Sequence, residues 1–192
     1  YRKGIMNLPI RTLAVMVCGV LTMSDVSASD QGIDHSSHGG DSIAKDSAMV
    51  VHAFDASEAD LGKIKHSDTA TRAAETAPHL LAVDIVETLR AHGFTSVTLS
   101  DSAEPSGDAL QLVGTFTEIN PGSQSARVWI GFGAGASKVC VKGKLQTPSG
   151  DVAGEFKDCE KGIGWGNSGD QTDGEATRIG ANIGSLISSW AK

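Results

Sequence analysis

Two cysteines in strongly alternating stretches of the chain carry the clearest chemistry in the sequence. Cys140 lies in residues 138–147, where apolar and polar side chains alternate, and Cys159 follows a second alternating run at residues 152–158. Residues 148–150, Pro-Ser-Gly, separate the two runs and are typical of a turn. The pattern therefore predicts a β-hairpin that carries one cysteine on each strand.

The position of the turn decides which residues of this hairpin face each other. With residues 149–150 at the tip, Cys140 lies opposite Cys159, and Lys144 lies opposite Glu155. A change of one residue in the loop would make the cysteines diagonal neighbours, which is a less favourable geometry. In an oxidising compartment this pair favours a disulfide over a metal site or a nucleophile, and two free thiols are the alternative.

A glycine-rich segment at residues 131–137, GFGAGAS, invites comparison with nucleotide-binding loops. It leads into a β-patterned run rather than a helix, and no Gly-Lys-Ser/Thr follows, so a dinucleotide loop and a phosphate loop are both disfavoured. Exposed glycine backbone and a loop tryptophan are suited to contacts with a partner, although such a tryptophan could also fold onto its own core. The predicted contact surface consists of Gly131, Phe132, Gly133, Gly135 and Trp165.

The remaining polar residues give no catalytic or metal-binding constellation. Asp34, His35, His38 and Asp41 could bind a transition metal weakly, but two histidines on a polar arm are more often simply polar residues. No serine stands in a Gly-x-Ser-x-Gly elbow. The carboxylates of Glu118, Asp151, Glu155 and Asp158 are expected to be solvated on strand faces. We therefore predict no enzymatic activity, no cofactor and no metal site.

The N-terminal residues have the pattern of a bacterial secretory signal peptide. Basic residues precede an uncharged run at residues 12–23, which is too short to span a bilayer but matches the apolar core of a signal peptide. Small residues at 26–28 predict cleavage after Ala28, and the start of translation is Met6 or an upstream residue. Val17 before Cys18 does not fit a lipoprotein signal. The sequence predicts a periplasmic location and leaves association with the outer membrane open.

The charge of the chain limits its partners. The formal net charge is −7, and the sequence contains no basic cluster. Nucleic acid is therefore disfavoured as a partner, because its binding depends on neutralising phosphates. An envelope protein or a small ligand is the expected partner, with the oligomeric state open.

The element pattern predicts one α+β domain at residues 47–192, after a flexible, polar tether at residues 29–46. Strands are expected at residues 48–54, 94–99, 109–119 and 127–132, followed by the cysteine hairpin. A helix is expected from Pro78 to Gly93. A second helix starts where Thr172 and Glu175 have capping-box spacing, and an apolar stripe follows along it at residues 176, 179, 180, 183, 186, 187 and 190. We expect a largely antiparallel sheet with two helices packed on one face.

The central block of the sequence resembles a known bacterial family. It reads LVGTFTEINPG at residues 112–122 and ARVWIGFGAG at residues 126–135. These residues resemble the family called domain of unknown function 4410, and the likeness extends over about residues 47–190. The resemblance implies a bacterial cell-envelope protein, often a lipoprotein, and it brings no assigned activity and no catalytic residues.

These observations favour a non-enzymatic, periplasmic or envelope-associated binding module. Two other hypotheses stay open. One is a structural subunit of an envelope assembly that pairs its exposed strand edges. The other is a hydrolase of unassigned chemistry, which would need a concave pocket with a close Ser/His or paired-carboxylate geometry.

Overall fold

The computed structural model describes residues 32–39, 42–64, 67–101, 107–123, 135–162 and 168–192. In chain order, the elements are β1 (His35–His38), β2 (Met49–His52), a 3-10 turn (Gly62–Ile64), α1 (Asp68–Ala91), β3 (Val97–Ser100), β4 (Leu110–Asn120), β5 (Lys138–Gln146), β6 (Val152–Lys161) and α2 (Ser168–Ser189). The predicted signal peptide and the predicted strand at residues 127–132 lie outside the described residues. Within them, no helix has the length and apolar character needed to cross a membrane.

The six strands of the described residues form one sheet in the order β1-β6-β5-β4-β2-β3. Both helices contact each other and pack on the same apolar face of this sheet. The α+β class is confirmed, but the prediction of a largely antiparallel sheet is wrong, because the sheet is mixed. β2 pairs in parallel with both β3 and β4, and the pairs β4/β5, β5/β6 and β1/β6 are antiparallel. The 24-residue helix α1 between β2 and β3 explains the difference, since it returns the chain to the same end of the sheet.

Helix α1 begins ten residues before the predicted start. Ser67 caps it, and its Oγ accepts a hydrogen bond from the Ala70 backbone N–H at 3.2 Å. Pro78 therefore lies inside the helix rather than in its first turn, and the helix continues although a proline removes one intrahelical hydrogen bond. Small residues buried at helical spacing extend the apolar stripe in front of the proline. They are Ala70, Ala73 and Ala77.

Helix α2 also begins earlier than predicted. It starts at Ser168, so Thr172 and Glu175 lie inside the helix and do not form a capping box at its start. The Glu175 carboxylate instead accepts a hydrogen bond from the Ser137 hydroxyl at 2.5 Å. The predicted apolar stripe is confirmed, with its central residues fully buried. These are Ala176, Ile179, Ile183 and Ile187.

Part of the predicted tether belongs to the sheet. His35–His38 forms the edge strand β1 and pairs with β6 in antiparallel register. Ile43 is buried and forms a bridge with Ala191 after α2. The strand could not be recognised from the polar composition of this segment. An edge strand with exposed side chains is held by backbone hydrogen bonds, so its sequence need not show an apolar face.

The two helices approach closely at glycines of α2, which gives a first testable prediction. A Cβ at Gly180 would lie 2.7 Å from the Leu81 carbonyl oxygen, so α1 would have to move. We expect Gly180→Ala to lower the free energy of unfolding by about 1–2 kcal/mol, through overpacking. Gly174→Ala is the matched control, since its Cβ would meet only the Arg178 guanidinium at 3.6 Å. That variant should gain about 0.5–1 kcal/mol from helix propensity. Urea unfolding measures the free energy of unfolding of both variants. Equal changes in the two variants would contradict a close contact between the helices at Gly180.

Candidate functional site

The sheet has an inner face on which both helices pack and an outer face that no described helix covers. Side chains alternate between the two along each strand. Leu112, Phe116, Val141 and Leu145 point inward and are buried in the core. Their neighbours along the strands point outward and line an open groove of about 550 Å³. We call the residues that line it on this side the outer sheet face. They are His35, Asp55, Val113, Thr115, Lys142, Lys144, Glu155 and Lys157.

Strand register places five of these residues in one row across the sheet. Asp55 pairs with Thr115, Thr115 with Lys142, Lys142 with Lys157, and Lys157 with His35. The row therefore carries an acid at one end, two lysines at its centre and a histidine at the other end. Two hydrogen bonds from Ser57, one from its backbone N–H and one from its hydroxyl, lower the pKa of the Asp55 carboxyl.

Two pairs of lysines face each other directly across the β5/β6 hairpin. Lys138 is opposite Lys161, and Lys142 is opposite Lys157. We call these the lysine rungs. Side chains in directly opposed positions have their Cβ atoms about 5 Å apart, so each rung brings two like charges together and costs stability. Four residues separate the rungs along each strand, which corresponds to about 14 Å.

The disulfide lies between the two rungs. Cys140 and Cys159 are directly opposite each other, and their sulfur atoms are 2.10 Å apart. The predicted register of the hairpin is confirmed by this pair and by Lys144 opposite Glu155. The cross-link holds the strands together between the two positions at which opposed lysines repel each other.

Carboxylates neutralise little of this positive charge. Lys138 forms a salt bridge with Glu118 at 2.6 Å. Within the described part of the chain, Lys142, Lys144, Lys157 and Lys161 have no carboxylate oxygen within 4.0 Å, although Lys144 faces Glu155. The sequence shows no basic cluster because these lysines are dispersed along two strands. The fold gathers them on one face of an acidic protein.

Two acidic residues lie on the opposite, inner face of β6. Asp158 and Glu160 are buried beneath α2, which corrects the expectation that Asp158 is solvated. Asn182 donates a hydrogen bond to Asp158 at 3.0 Å, and Arg178 lies 3.4 Å from the Glu160 carboxylate. The pKa of Asp158 is raised to about 6, mainly by burial and with a smaller contribution from the charges of Glu160 and Asp34, while the hydrogen bond from Asn182 opposes the rise.

The raised pKa of Asp158 predicts a pH dependence of stability. The folded state holds the proton more tightly than the unfolded chain, whose Asp pKa is 3.8, so stability falls as pH rises from about 4 to 6. The neutral Asp158→Asn variant should lack this loss and should be more stable at neutral pH by about 2 kcal/mol. Urea unfolding of both proteins across this pH range measures the difference. A constant difference between them would contradict the prediction.

The structure separates several residues that the sequence analysis grouped. His35 lies on the outer sheet face, whereas the ring of His38 stacks on Trp190 with 5.0 Å between centroids. Alternation along β1 therefore directs the two histidines to opposite faces of the sheet. In the part of the chain that the structure describes, no group of three or more His, Cys, Asp or Glu side chains could hold a metal ion.

The predicted contact surface lies largely outside the described residues. Gly131, Phe132, Gly133 and Trp165 belong to segments that the structure does not describe. Gly135 is described, with a φ of 74°, and its carbonyl oxygen accepts a hydrogen bond from Ser123. The same carbonyl oxygen lies so close to Gly122 that a Cβ at position 122 would collide with it. Gly135 thus has a structural role at the start of β5.

The sequence analysis missed the central part of the outer sheet face, although the signal was present. The register that places Cys140 opposite Cys159 also places Lys142 opposite Lys157. Asp55 and His35 could not be assigned to this face from the sequence. Their positions depend on the pairing of β1 with β6 and of Asp55 with Thr115, and both pairings join residues that are far apart in the chain.

A family model described as "Domain of unknown function (DUF4410)" matches residues 27–166. No curated protein matches the chain. A solved dodecamer of a PelC variant from Paraburkholderia phytofirmans is similar, with a TM-score of 0.50, 16% identity, and coverage of 78% of this chain and 96% of that chain. A second PelC dodecamer from the same bacterium has a TM-score of 0.49 and 15% identity, covering 78% of this chain and 94% of that one. At 16% identity, the first of these likenesses shows a shared fold and nothing more.

Proposed function

The chain belongs to the DUF4410 family, and from this premise we propose that it is an exported, non-enzymatic binding module of the bacterial cell envelope. Its working surface in this proposal is the outer sheet face. The observation that carries the proposal is the set of lysines on this face that lack carboxylate partners within the described residues. Such charges favour a partner that supplies the missing groups.

The contact surface predicted from the sequence adjoins one end of the hairpin along the chain. Gly135 and Gly162 flank β5 and β6 at the end that carries Lys138 and Lys161, and Gly162 donates a backbone hydrogen bond to Ser137. In the sequence, the glycine-rich segment directly precedes Lys138, and Trp165 comes four residues after Lys161. We therefore keep them in the proposal as an additional contact. Trp165→Ala would leave binding unchanged if they have no such role.

Site-specific photo-crosslinking in cells tests the working surface. A benzophenone amino acid at Thr115, at the centre of the outer sheet face, should yield covalent adducts with envelope material. The control places it at Glu87, which is exposed on α1. The proposal predicts adducts from position 115 and none from position 87. Adducts from position 87 alone would overturn it.

A second candidate function is a structural subunit that assembles with copies of itself. Among the described strands, β1 and β3 lie at the edges of the sheet, and Leu99 on β3 is 36% exposed. Unpaired strand edges can pair with further copies, and the PelC structures of similar fold are dodecamers. Light scattering on the exported protein tests this candidate. A mass that is a fixed multiple of the subunit supports it, and a monomer at all concentrations excludes it.

A further inference from the structure

We infer that the outer sheet face and the adjoining rung Lys138/Lys161 bind a linear acidic polysaccharide, with the two lysine rungs contacting successive acidic groups. This inference rests on the proposed function and names the ligand class of the same surface. Its basis is a juxtaposition of groups: two opposed lysine pairs, a disulfide between them, and carboxylates beside them.

The opposed lysines of the rungs lower the stability of the hairpin, and the hairpin fold does not need lysines at these positions. Lys142 and Lys157 are directly opposed and exposed, and no described carboxylate pairs with either of them. Like charges in this arrangement destabilise a strand pair. The disulfide, one rung away, keeps the strands together nevertheless. An anionic group bound between the two ammonium groups would remove the repulsion and gain charge-assisted hydrogen bonds.

The shape of the surface favours a chain over a small anion. The groove is open and contains the rung Lys142/Lys157, and the rung Lys138/Lys161 lies about 14 Å further along the same sheet face, beyond the groove lining. A single carboxylate or phosphate can reach only one rung. A polymer with repeated charges can reach both, so its second contact forms at a high effective concentration.

The carboxylates on the same face identify the kind of polymer. Asp55 and Glu155 line the groove together with the lysines, and both are exposed. Ionised carboxylates only accept hydrogen bonds, so they suit the hydroxyl groups of a sugar and repel a backbone that consists of acceptors alone. An acidic polysaccharide offers both carboxylates for the lysines and hydroxyl donors for Asp55 and Glu155. Polyphosphate offers acceptors alone.

The same face is poorly suited to nucleic acid and to a lipid surface. Phe156 is the only Phe, Tyr or Trp among the described residues that line the groove, and its ring packs inward on Phe54. The face therefore has no aromatic platform for stacking bases. Among the described residues that line the groove, Val113 is the one aliphatic residue larger than alanine. This apolar surface is too small for insertion into a bilayer.

Titration of the full exported protein with a polyuronate tests the inference, and neutral dextran and polyphosphate serve as comparison probes. The Lys142→Gln/Lys157→Gln variant should bind polyuronate about tenfold more weakly, because two charged contacts are lost. Arg72→Gln/Lys192→Gln is the matched control, since it removes the same charge from exposed positions outside the groove. It should bind like the parent, and Lys142→Arg/Lys157→Arg should retain binding.

Two results would overturn the inference. One is equal loss of affinity in the rung variant and the control variant, which would indicate a net-charge effect. The other is binding of polyphosphate as tight as that of polyuronate, which would leave Asp55 and Glu155 without the role described. Melting temperatures of all variants must be compared, and the rung variant should be at least as stable as the parent because it removes a repulsion. If these results occur while Thr115 still crosslinks in cells, the binding module stands and only its ligand class fails.

Discussion

Replacing Phe156 by alanine is expected to lower the free energy of unfolding by about 4 kcal/mol. Phe156 is 1% exposed on the inner face of β6, and its ring stacks on Phe54 at a centroid distance of 6.3 Å. The ring also occupies the space above Gly143, where a Cβ would collide with it. Truncation therefore leaves a cavity against a residue that has no side chain to fill it.

Urea unfolding of the parent and the variant measures this loss. Val152→Ala is the matched control, because Val152 lies on the same strand and is 47% exposed. It should change stability by no more than about 0.5 kcal/mol. A loss of less than about 1 kcal/mol for Phe156→Ala would contradict the role of the Phe156 and Phe54 rings in stabilising the sheet from its inner face.

Removing the disulfide is the second change for which we expect a large effect. Cys140 and Cys159 are 19 residues apart in sequence, and the cross-link restricts the unfolded chain. Cys140→Ala/Cys159→Ala should lower the free energy of unfolding by about 3 kcal/mol. The loss has a second source in this hairpin, since on each side of the cross-link the two opposed lysines of a rung repel each other.

A reducing agent separates the disulfide from the substitutions. Reduction should destabilise the parent to the level of the double variant and should leave the double variant unchanged. In the cysteine-free background, Lys157→Gln should restore about 0.5 kcal/mol by removing one like-charge contact. If reduction does not change the unfolding midpoint of the parent, the disulfide does not contribute to stability as described.

The hairpin could be predicted from sequence because all its determinants are local. Alternation, a Pro-Ser-Gly turn and an even pair of cysteines fixed the register, and the pairing of Cys140 with Cys159 follows from it. The apolar stripe of α2 was recognisable for the same reason. In both cases the spacing of side chains along one element contains the necessary information.

The parallel part of the sheet could not be predicted in this way. It depends on α1 as a crossover between β2 and β3, and Pro78 suggested a helix that was too short. The strand β1 was missed because its residues, His-Ser-Ser-His, show no apolar alternation and pair through backbone atoms. Non-local pairing then decided where His35 and Asp55 lie.

The candidate site illustrates the same limit. The lysines of β5 were seen as one polar face of a strand, but the cluster exists only after β6 adds Lys157 and Lys161. The burial of Asp158 was also hidden, since alternation alone assigns it to a face without showing that α2 covers that face with Asn182 and Arg178.

Lysine footprinting in the native envelope tests the central claim that the outer sheet face is the working surface. Acylation rates of individual lysines would be measured by mass spectrometry in an envelope fraction and in the purified protein. Lys142, Lys144 and Lys157 should react more slowly in the envelope fraction, while Lys192, outside the groove, should react equally in both. Equal reactivity of the three outer lysines in the two samples would contradict the claim.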